Sequence, residues 1–225
     1  MNHSPGTRFI WIRHAPGEKE HGFVPDHDPN IHYQAEAARR LGALMPENAR
    51  WVISPLKRTR QTAEQVKQHL LTSQQHPEVE EVEPRIIEQD LGTWAGAKLA
   101  DVWKELAPLP KHNFSFQHAE IEPPGGERFI DQCARISSYL TSEEARITHQ
   151  NDTRTQVMFA HAHTIRAVVA HCFGLAPDIA LSIKVDNYSR TIFDFLPTSS
   201  TSKDEPVPVG GNWLLIGLNV PADEG

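Results

Sequence analysis

The chain has 225 residues, of which 39% are hydrophobic and 23% are charged, as is typical of a globular protein. This length suits one large domain with a full core, and no apolar run approaches the length of a membrane span. The formal net charge is -7 and the basic residues do not gather in one run, which argues against a nucleic-acid-binding surface. An anionic ligand would therefore be bound by individually placed arginines.

The N-terminus and the cysteines give no sign of export. Residues 1–8 lack the apolar core of a signal peptide, so the cytoplasm is the expected compartment. Cys133 and Cys172 fall among apolar residues of predicted helices, which favours buried free thiols over a disulfide framework. We expect no membrane partner, and the sequence leaves the oligomeric state open.

The first predicted strand ends in two polar residues. Four consecutive apolar residues at 9–12 predict a strand buried on both faces, and Arg13 and His14 follow directly. In open α/β sheets, ligands bind beyond the carboxyl ends of the strands, so this strand delivers a cation and an imidazole to such a crevice. Taken alone, the pair is more typical of the solvated start of a loop.

The pattern predicts six further segments over residues 17–91. They are an irregular loop at 17–31, a helix over 34–45, a strand at 51–53, a helix over 56–71 and, after a polar loop at 72–81, an extended stretch at 82–91. A short amphipathic helix is expected around 99–106, with Trp103 and the preceding Trp94 as packing residues.

An irregular stretch at 108–126 follows, with four prolines, two phenylalanines and two histidines. Its aromatic content argues against disorder and predicts a lid over a site, as an insertion around 104–124. Phe114 and Phe116 either line a substrate pocket or pin this lid. Beyond it the pattern predicts a helix over 127–140, a polar surface segment at 141–156, a buried strand at 157–160, a helix from Thr164 to a Gly174 cap, and strands at 182–196 and 212–219 joined by a Ser/Thr/Pro-rich loop.

Three predicted strands each end in a polar group. These groups are Arg13 with His14, Ser54 ahead of Arg58, and His161. If the strands are parallel and joined by right-handed crossovers, all of them converge on one crevice. Two histidines and two arginines there would form a compact cationic pocket suited to a phosphate.

The motifs around these groups resemble the histidine phosphatase superfamily, the phosphoglycerate-mutase-like proteins that work through a phosphohistidine, over nearly the whole chain. Arg13-His14-Ala15 stands where that superfamily has Arg-His-Gly, and residues 54–63 (SPLKRTRQTA) are similar to its second motif. Residues 88–96 (EQDLGTWAG) and 124–127 (PGGE) resemble two further recurrent segments, and 161–166 (HAHTIR) resembles the last motif. Within the superfamily, the chain is most similar to alpha-ribazole-phosphate phosphatase and related small broad phosphatases.

The resemblance implies a fold and an activity. The implied fold is α/β, a single-domain three-layer α/β/α sandwich with a mostly parallel sheet and an antiparallel edge. The implied activity is metal-independent hydrolysis of a small phosphorylated metabolite, without a cofactor. In these roles His14 is the nucleophile, Glu88 protonates the leaving oxygen, and the phosphate oxygens are bound by Arg13, Arg58, His161 and backbone N–H groups at Ala162, where a helix opens.

This chemistry sets requirements on three groups. His14 must attack as a neutral imidazole, so its other ring nitrogen should donate to a fixed acceptor, which we expect to be a backbone carbonyl. Glu88 must hold a proton near neutral pH, which burial and the phosphate charge both promote. Two guanidiniums and one imidazolium, that of His161, would balance the two negative charges of a phosphate monoester.

The chain departs from the superfamily pattern at a few positions. Ala15 and Ala162 replace glycines, a change that matters only where the backbone needs a positive φ. Ala95 stands where a glutamate is common and Arg128 where a serine is common. The loop at 17–31 offers no match for the neutral polar residue often found there.

Two other functions remain open on sequence grounds. A phosphoglycerate mutase would use the same pocket and return the phosphoryl group to the product, although the short intervening segments favour hydrolysis. A catalytically silent phosphate-binding module would need neither the His14 nucleophile nor the Glu88 acid. A metal pair at His161 and His163 is disfavoured, because the two side chains would point to opposite faces of a continuing strand.

Overall fold

The computed structural model describes residues 6–71, 77, 79–197 and 210–222. Its strands are β1 (Thr7–Arg13), β2 (Arg50–Ile53), β3 (Val79–Val82), β4 (Gln156–Ala160), β5 (Arg190–Phe195) and β6 (Trp213–Val220). Its helices are α1 (Ala35–Ala43), α2 (Lys57–Lys67), α3 (Leu99–Leu106), α4 (Phe129–Gln150), α5 (Ala162–Phe173) and α6 (Pro177–Leu181). Two short 3-10 helices, Pro84–Ile86 and Gly92–Trp94, lie between β3 and α3.

All six strands join one mixed sheet in the order β3-β2-β4-β1-β5-β6. The pairs β3–β2, β2–β4 and β4–β1 are parallel, whereas β5 and β6 form an antiparallel edge. The register places Arg13 beside Ala160 and Ile53 beside Phe159, so the carboxyl ends of β1, β4 and β2 lie at one level. The predicted mostly parallel sheet with an antiparallel edge is confirmed.

Helices cover both faces of the sheet because the side chains of β1 alternate. Phe9 and Trp11 belong to a buried cluster with residues of α4, α5 and α6. Ile10 and Ile12 belong to a second cluster with residues of α1 and α2. Both clusters are nearly free of solvent contact, which confirms the three-layer α/β/α arrangement.

A third, smaller cluster lies around α3. It consists of the buried residues Val24, Trp94, Val102, Leu106 and Ile121. The segment at 108–126 that contributes to it contains no helix or strand, as predicted.

The two tryptophans near α3 differ in burial. Trp94 is buried, which confirms its predicted packing role, whereas Trp103 is 47% exposed. Its ring contacts that of Phe116, with 5.9 Å between centroids, and Phe116 in turn packs against the cluster around α3. Trp103 is therefore a packing residue, as predicted, but it packs on the outside of this cluster and is not buried.

The largest difference from the sequence prediction is the length of α4. The helix continues through the predicted surface segment to Gln150, because Ile147 is buried in the core and Glu143 accepts a hydrogen bond from Arg50 at 3.0 Å. A left-handed Asn151 then ends it.

Other boundaries also differ. Strand β3 includes residues 79–81, which we predicted as the end of a polar loop. Of the two 3-10 helices, Pro84–Ile86 forms within the stretch predicted as extended at 82–91, and Gly92–Trp94 follows that stretch. The region 182–189 is irregular and β5 starts only at Arg190, while α5 begins two residues before Thr164 and ends at the predicted Gly174 cap. The predicted loops at 72–81 and 197–211 lie largely outside the described residues.

Cys133 on α4 and Cys172 on α5 are free thiols that pack against the core, though each is only partly buried. Burial raises the pKa of Cys133 to about 12, so this thiol is protonated at neutral pH. Within the described ranges, no helix is both long enough and apolar enough to cross a membrane.

We expect Ile147→Ala to lower the free energy of unfolding by about 2–5 kcal/mol, because it empties a core position that is 2% exposed. Thr148→Ala, at the next and exposed position, is the matched control and should change stability by less than about 0.5 kcal/mol. Chemical denaturation of both variants measures the difference. An Ile147 variant as stable as the wild type would contradict the packing of the second half of α4 against the core.

Candidate active site

His14 follows β1 and is buried, with 8% of the residue exposed. Its backbone N–H continues the parallel ladder by donating to the Ala160 carbonyl of β4 at 3.0 Å. Its ring Nδ1 lies 2.6 Å from its neighbour's carbonyl, Ala15 O. Since a carbonyl only accepts, Nδ1 carries the proton and Nε2 keeps its lone pair. The backbone acceptor expected from the chemistry is therefore the carbonyl of Ala15.

The lone pair of His14 faces a guanidinium. Arg58 Nε donates to His14 Nε2 at 3.3 Å, and another Arg58 nitrogen donates to the His27 carbonyl at 2.7 Å. Burial and the neighbouring positive charge of Arg58 lower the pKa of His14 to about 3. The ring is thus neutral across the physiological range, as a nucleophile requires.

Arg13 points into the same region and is held from the antiparallel side of the sheet. Its guanidinium donates to the Val185 carbonyl at 2.5 Å. Its Nε is buried and has no hydrogen-bond partner within the described part of the chain. A buried donor of this kind is available to an anion, because an unpaired buried N–H is otherwise unfavourable.

His161 is completely buried at the point where β4 ends and α5 begins. Its Nε2 lies 2.6 Å from Ser54 Oγ, and its ring centroid is 5.1 Å from that of His14. Its Nδ1 has no partner among the residues described. Burial and the charge of Arg58 hold its pKa well below the usual range, so in the protein alone the ring is neutral. The expected imidazolium is therefore corrected: the guanidiniums supply the positive charge.

Glu88 lies across the site, where its two oxygens have different neighbours. Oε1 accepts from the Gln89 N–H at 3.1 Å, and Oε2 from the His163 N–H at 3.4 Å. Burial acts to raise the pKa of Glu88, but the contact with His163 and the charge of Arg58 outweigh it and hold the pKa well below the usual range. The expectation of a protonated acid is therefore wrong for the protein alone.

Two segments that resemble the superfamily motifs pack against each other to position Glu88. The Thr93 backbone N–H donates to the Pro124 carbonyl at 3.0 Å, and the Glu127 backbone N–H donates to the Asp90 carbonyl at 2.8 Å. Gly92 adopts a φ of 51°, and a Cβ on it would lie 2.2 Å from the Pro124 carbonyl oxygen. Only glycine fits there, which explains the Leu-Gly-Thr sequence at this point.

The two alanines that replace glycines are accommodated. Neither Ala15 nor Ala162 is among the described residues with a positive φ, so a Cβ causes no backbone strain at either position. Thr62 Oγ accepts the Ala15 N–H at 2.9 Å and donates to the Arg58 carbonyl at 2.7 Å. The first and second motifs are thereby joined through one hydroxyl, which sequence reasoning had not singled out.

The segment 185–189 supports the site from the antiparallel side. Asn187 donates its side-chain amide to the His14 carbonyl at 2.7 Å, and the Tyr188 N–H donates to the Arg13 carbonyl at 2.9 Å. Tyr188 adopts a left-handed φ of 59° to do so. The contacts of this segment with β1 join residues that are far apart in the chain, so they give no local signal in the sequence.

Arg13, His14, Arg58, Glu88 and Ala162 line one cleft of about 550 Å³. Arg166, a residue of the last motif for which we predicted no role, lines it as well, and its Nε donates to the Ile183 carbonyl at 2.8 Å. The irregular loop at 17–31 contributes nine residues to the lining.

His161 and His163 have separate partners. The chain enters α5 at Ala162 rather than continuing as a strand, and the His163 Nδ1 lies 3.8 Å from Glu88 Oε1 while His161 contacts Ser54. No group of three or more His, Cys, Asp or Glu side chains in the described ranges is arranged to hold a metal ion.

The sequence profile of the histidine phosphatase superfamily (branch 1) matches residues 11–203. The chain belongs to the histidine phosphatase superfamily. One relative, a 2,3-bisphosphoglycerate-dependent phosphoglycerate mutase of Beijerinckia indica, is 25% identical over a match that spans 57% of this chain and 60% of the mutase. Another relative, phosphoserine phosphatase 1 of Hydrogenobacter thermophilus, is 28% identical over 83% of this chain and 85% of that protein.

Several solved structures share the fold of this chain. The mycobacterial glucosyl-3-phosphoglycerate phosphatase has a TM-score of 0.69 and 22% identity, with 96% of this chain and 99% of that chain covered. A candidate alpha-ribazole-5'-P phosphatase of Escherichia coli K-12 has a TM-score of 0.70 and 18% identity, with 96% and 98% covered. At these identities the likeness concerns the fold alone.

Because the pKa of His14 is lowered to about 3, we expect its ring to remain the neutral Nδ1–H tautomer between about pH 5 and 8. Nitrogen NMR of labelled histidine in the wild type and in His14→Asn identifies and follows this ring. A titration of the His14 signal with a midpoint near 6.5, the value of an exposed histidine, would contradict the buried geometry.

The same shift affects stability. An unfolded histidine takes up a proton near pH 6.5, whereas folded His14 does so only near pH 3, so the unfolded chain binds more protons between these values. The free energy of unfolding should therefore fall as pH is lowered through this window. Between pH 6.5 and 5 the fall should be smaller in His14→Asn by up to about 2 kcal/mol, as measured by denaturant titration. An equal fall in both proteins would exclude this linkage.

Proposed function

We propose that this histidine phosphatase is a metal-independent phosphomonoesterase that hydrolyses a small phosphorylated metabolite through a phosphohistidine on His14. The observation that carries the proposal is the state of His14. Its ring is neutral, its Nδ1–H is fixed on the Ala15 carbonyl, and its Nε2 faces a cationic pocket. A binding site for phosphate would need the cations but not a nucleophile held in one tautomer.

Arg13 and Arg58 bind the phosphate oxygens in this proposal, with the unpartnered Nδ1 of His161 and the first turn of α5 at Ala162 as further contacts. The phosphate replaces Arg58 as the partner of His14 Nε2, which frees the lone pair for attack. The guanidiniums hold the equatorial oxygens while nucleophile and leaving group stay in line.

The reaction has two steps. The His14 Nε2 lone pair forms a bond to phosphorus as the ester P–O bond breaks, and Glu88 donates its proton to the departing alcohol oxygen. A water molecule then attacks phosphorus, Glu88 takes up a proton from it, and the N–P bond breaks to release inorganic phosphate and neutral His14.

Glu88 needs a proton for the first step. The carboxyl is ionised in the protein alone, but the two negative charges of a bound phosphate act in the opposite direction to Arg58 and raise its pKa. In this proposal, substrate binding therefore prepares the acid.

The relatives of this chain support hydrolysis but do not identify its substrate. A relative at 28% identity is a phosphoserine phosphatase, and the mycobacterial phosphatase of the same fold has been solved with vanadate and with inorganic phosphate. Several relatives at 24–25% identity are phosphoglycerate mutases, so a mutase reaction remains the second candidate.

We expect the wild type to release phosphate from a panel of metabolite monoesters in the presence of EDTA, and His14→Ala to release none, because the attacking nitrogen is gone. His149→Ala, which removes an exposed histidine of α4, is the matched control and should retain wild-type activity. An assay of inorganic phosphate measures both variants.

The alternatives give different results in the same assay. Turnover that requires a bisphosphorylated primer and leaves the phosphoryl group on the product would indicate a mutase. Tight binding of phosphate or vanadate without release from any ester would indicate a binding module and would overturn the hydrolase proposal.

We expect Glu88→Gln to lower kcat/KM about 10²- to 10⁴-fold for alkyl phosphates and much less for 4-nitrophenyl phosphate, whose leaving group needs no proton. Glu120→Gln, at an exposed position, is the control and should leave both rates unchanged. Steady-state kinetics on the two esters decide the matter. An equal loss on both would show that Glu88 does not act as the general acid.

A further inference from the structure

The active-site cleft extends well beyond the groups that would hold a phosphate. Its volume of about 550 Å³ lies within the usual range of small-molecule sites and leaves room for an organic group attached to the phosphate. The lining includes six apolar side chains, which we term the apolar wall. Its members are Phe23, Val24, Leu91, Ala95, Leu99 and Phe116.

The apolar wall is a packed surface. Phe116 is fixed by two edge-on ring contacts, with Trp94 at 5.7 Å and Trp103 at 5.9 Å between centroids. Val24 belongs to the buried cluster around α3, against which Leu91, Leu99 and Phe116 pack. These four side chains therefore have rigid support and do not need a ligand to hold them in place.

Hydrogen bonds fix the irregular segment that carries Phe116 on both sides of this residue. His112 Nε2 donates to the Asp178 carbonyl at 2.8 Å, and the Ala119 N–H donates to Asp178 Oδ1 at 2.7 Å. Both bonds are made to Asp178 of α6. Phe116 is consequently presented to the cleft by a segment with its own anchors, whereas Phe114 in the same segment is 74% exposed and is not part of the lining.

Apart from Arg13, His14, Arg58, Glu88, His163 and Arg166, the titratable residues of the lining are all exposed. We term these exposed residues the rim; they are Glu18, Lys19, Asp26 and His27. Lys19 is the one lysine or arginine of the described lining that lies outside the group formed by Arg13, Arg58 and Arg166. Exposed charges contribute little to binding, so the rim offers no built site for a second anionic group on the substrate.

We propose that the apolar wall binds the alcohol part of the substrate, and that the protein prefers phosphate monoesters of apolar alcohols, with a ring or a medium alkyl chain, over esters that carry a carboxylate. This inference rests on the proposed phosphatase function and adds its substrate class. The phosphate of such a molecule binds the guanidiniums, while its apolar group is transferred out of water and packs against Phe116, Leu99 and Phe23. Each methylene so buried strengthens binding about fourfold.

The test uses two matched series. Primary alkyl phosphates from ethyl to hexyl have leaving groups of nearly constant basicity, so kcat/KM along the series reports contact with the wall rather than chemistry. The n-alkylphosphonates of the same lengths cannot be hydrolysed, and their dissociation constants, measured by calorimetry, report the wall without any turnover. Phosphoserine and 3-phosphoglycerate supply the comparison with carboxylate esters.

We expect kcat/KM for the alkyl phosphates and the affinity for the alkylphosphonates each to increase about fourfold per methylene over several members of the series. The kcat/KM of hexyl phosphate should exceed that of phosphoserine and that of 3-phosphoglycerate. Phe116→Ala should lower kcat/KM for hexyl phosphate and the affinity for hexylphosphonate much more than the values for the ethyl compounds. Phe114→Ala should change neither the hexyl nor the ethyl values. Ala95→Glu, which places a carboxylate in the wall at a partly exposed position, should flatten the series even if the Phe116 variant folds poorly.

The outcomes separate the two proposals. Rising phosphonate affinity with no hydrolysis of any ester would overturn the phosphatase function while supporting the wall. If esters are hydrolysed but neither kcat/KM nor phosphonate affinity increases with chain length, the proposed role of the apolar wall is wrong and the phosphatase function still holds. The same conclusion follows if phosphoserine or 3-phosphoglycerate is a better substrate than hexyl phosphate. Equal losses for ethyl and hexyl compounds in Phe116→Ala and Ala95→Glu would also overturn the proposed role of the apolar wall.

Discussion

The parallel pairing of β4 with β1 on one side and β2 on the other is the constraint on which the site depends. The ladder does not stop at the strand ends: the His14 N–H donates to the Ala160 carbonyl, and the Ser54 N–H donates to the Phe159 carbonyl. His161 follows Ala160 directly. Three motifs that are far apart in the chain are thereby fixed side by side through backbone hydrogen bonds, before any side chain contributes.

Burial then decides the charges that this arrangement brings together. Two imidazoles and two guanidiniums at one strand edge would repel one another if all were charged, and desolvation favours the neutral form of the imidazoles. His14 and His161 accordingly lose their protons, whereas Arg13 and Arg58 keep theirs because guanidinium is so basic. The pocket thus combines positive charge with an unprotonated ring nitrogen, which is the combination that phosphoryl transfer to histidine requires.

The sequence predicted what depends on local pattern and on strand ends. The apolar runs located β1, β2 and β4, and the polar groups at their carboxyl ends predicted that His14, Arg58 and His161 would meet if the strands are parallel. Contacts between distant residues were not accessible in this way. The continuation of α4 depends on Glu143 meeting Arg50, 93 residues away, and the charge state of His161 depends on a depth of burial that periodicity does not reveal. The role of Asn187 was missed for the same reason.

The hydrogen bond from His14 Nδ1 to the Ala15 carbonyl affects which residues position 15 can accept. Many enzymes fix a histidine tautomer with an aspartate or asparagine side chain, which a single substitution can remove. Here the acceptor is a peptide group, which every amino acid possesses. Replacing Ala15 by glycine would therefore leave the acceptor of His14 Nδ1 in place, so the tautomer of His14 depends on the backbone and not on the side chain at position 15.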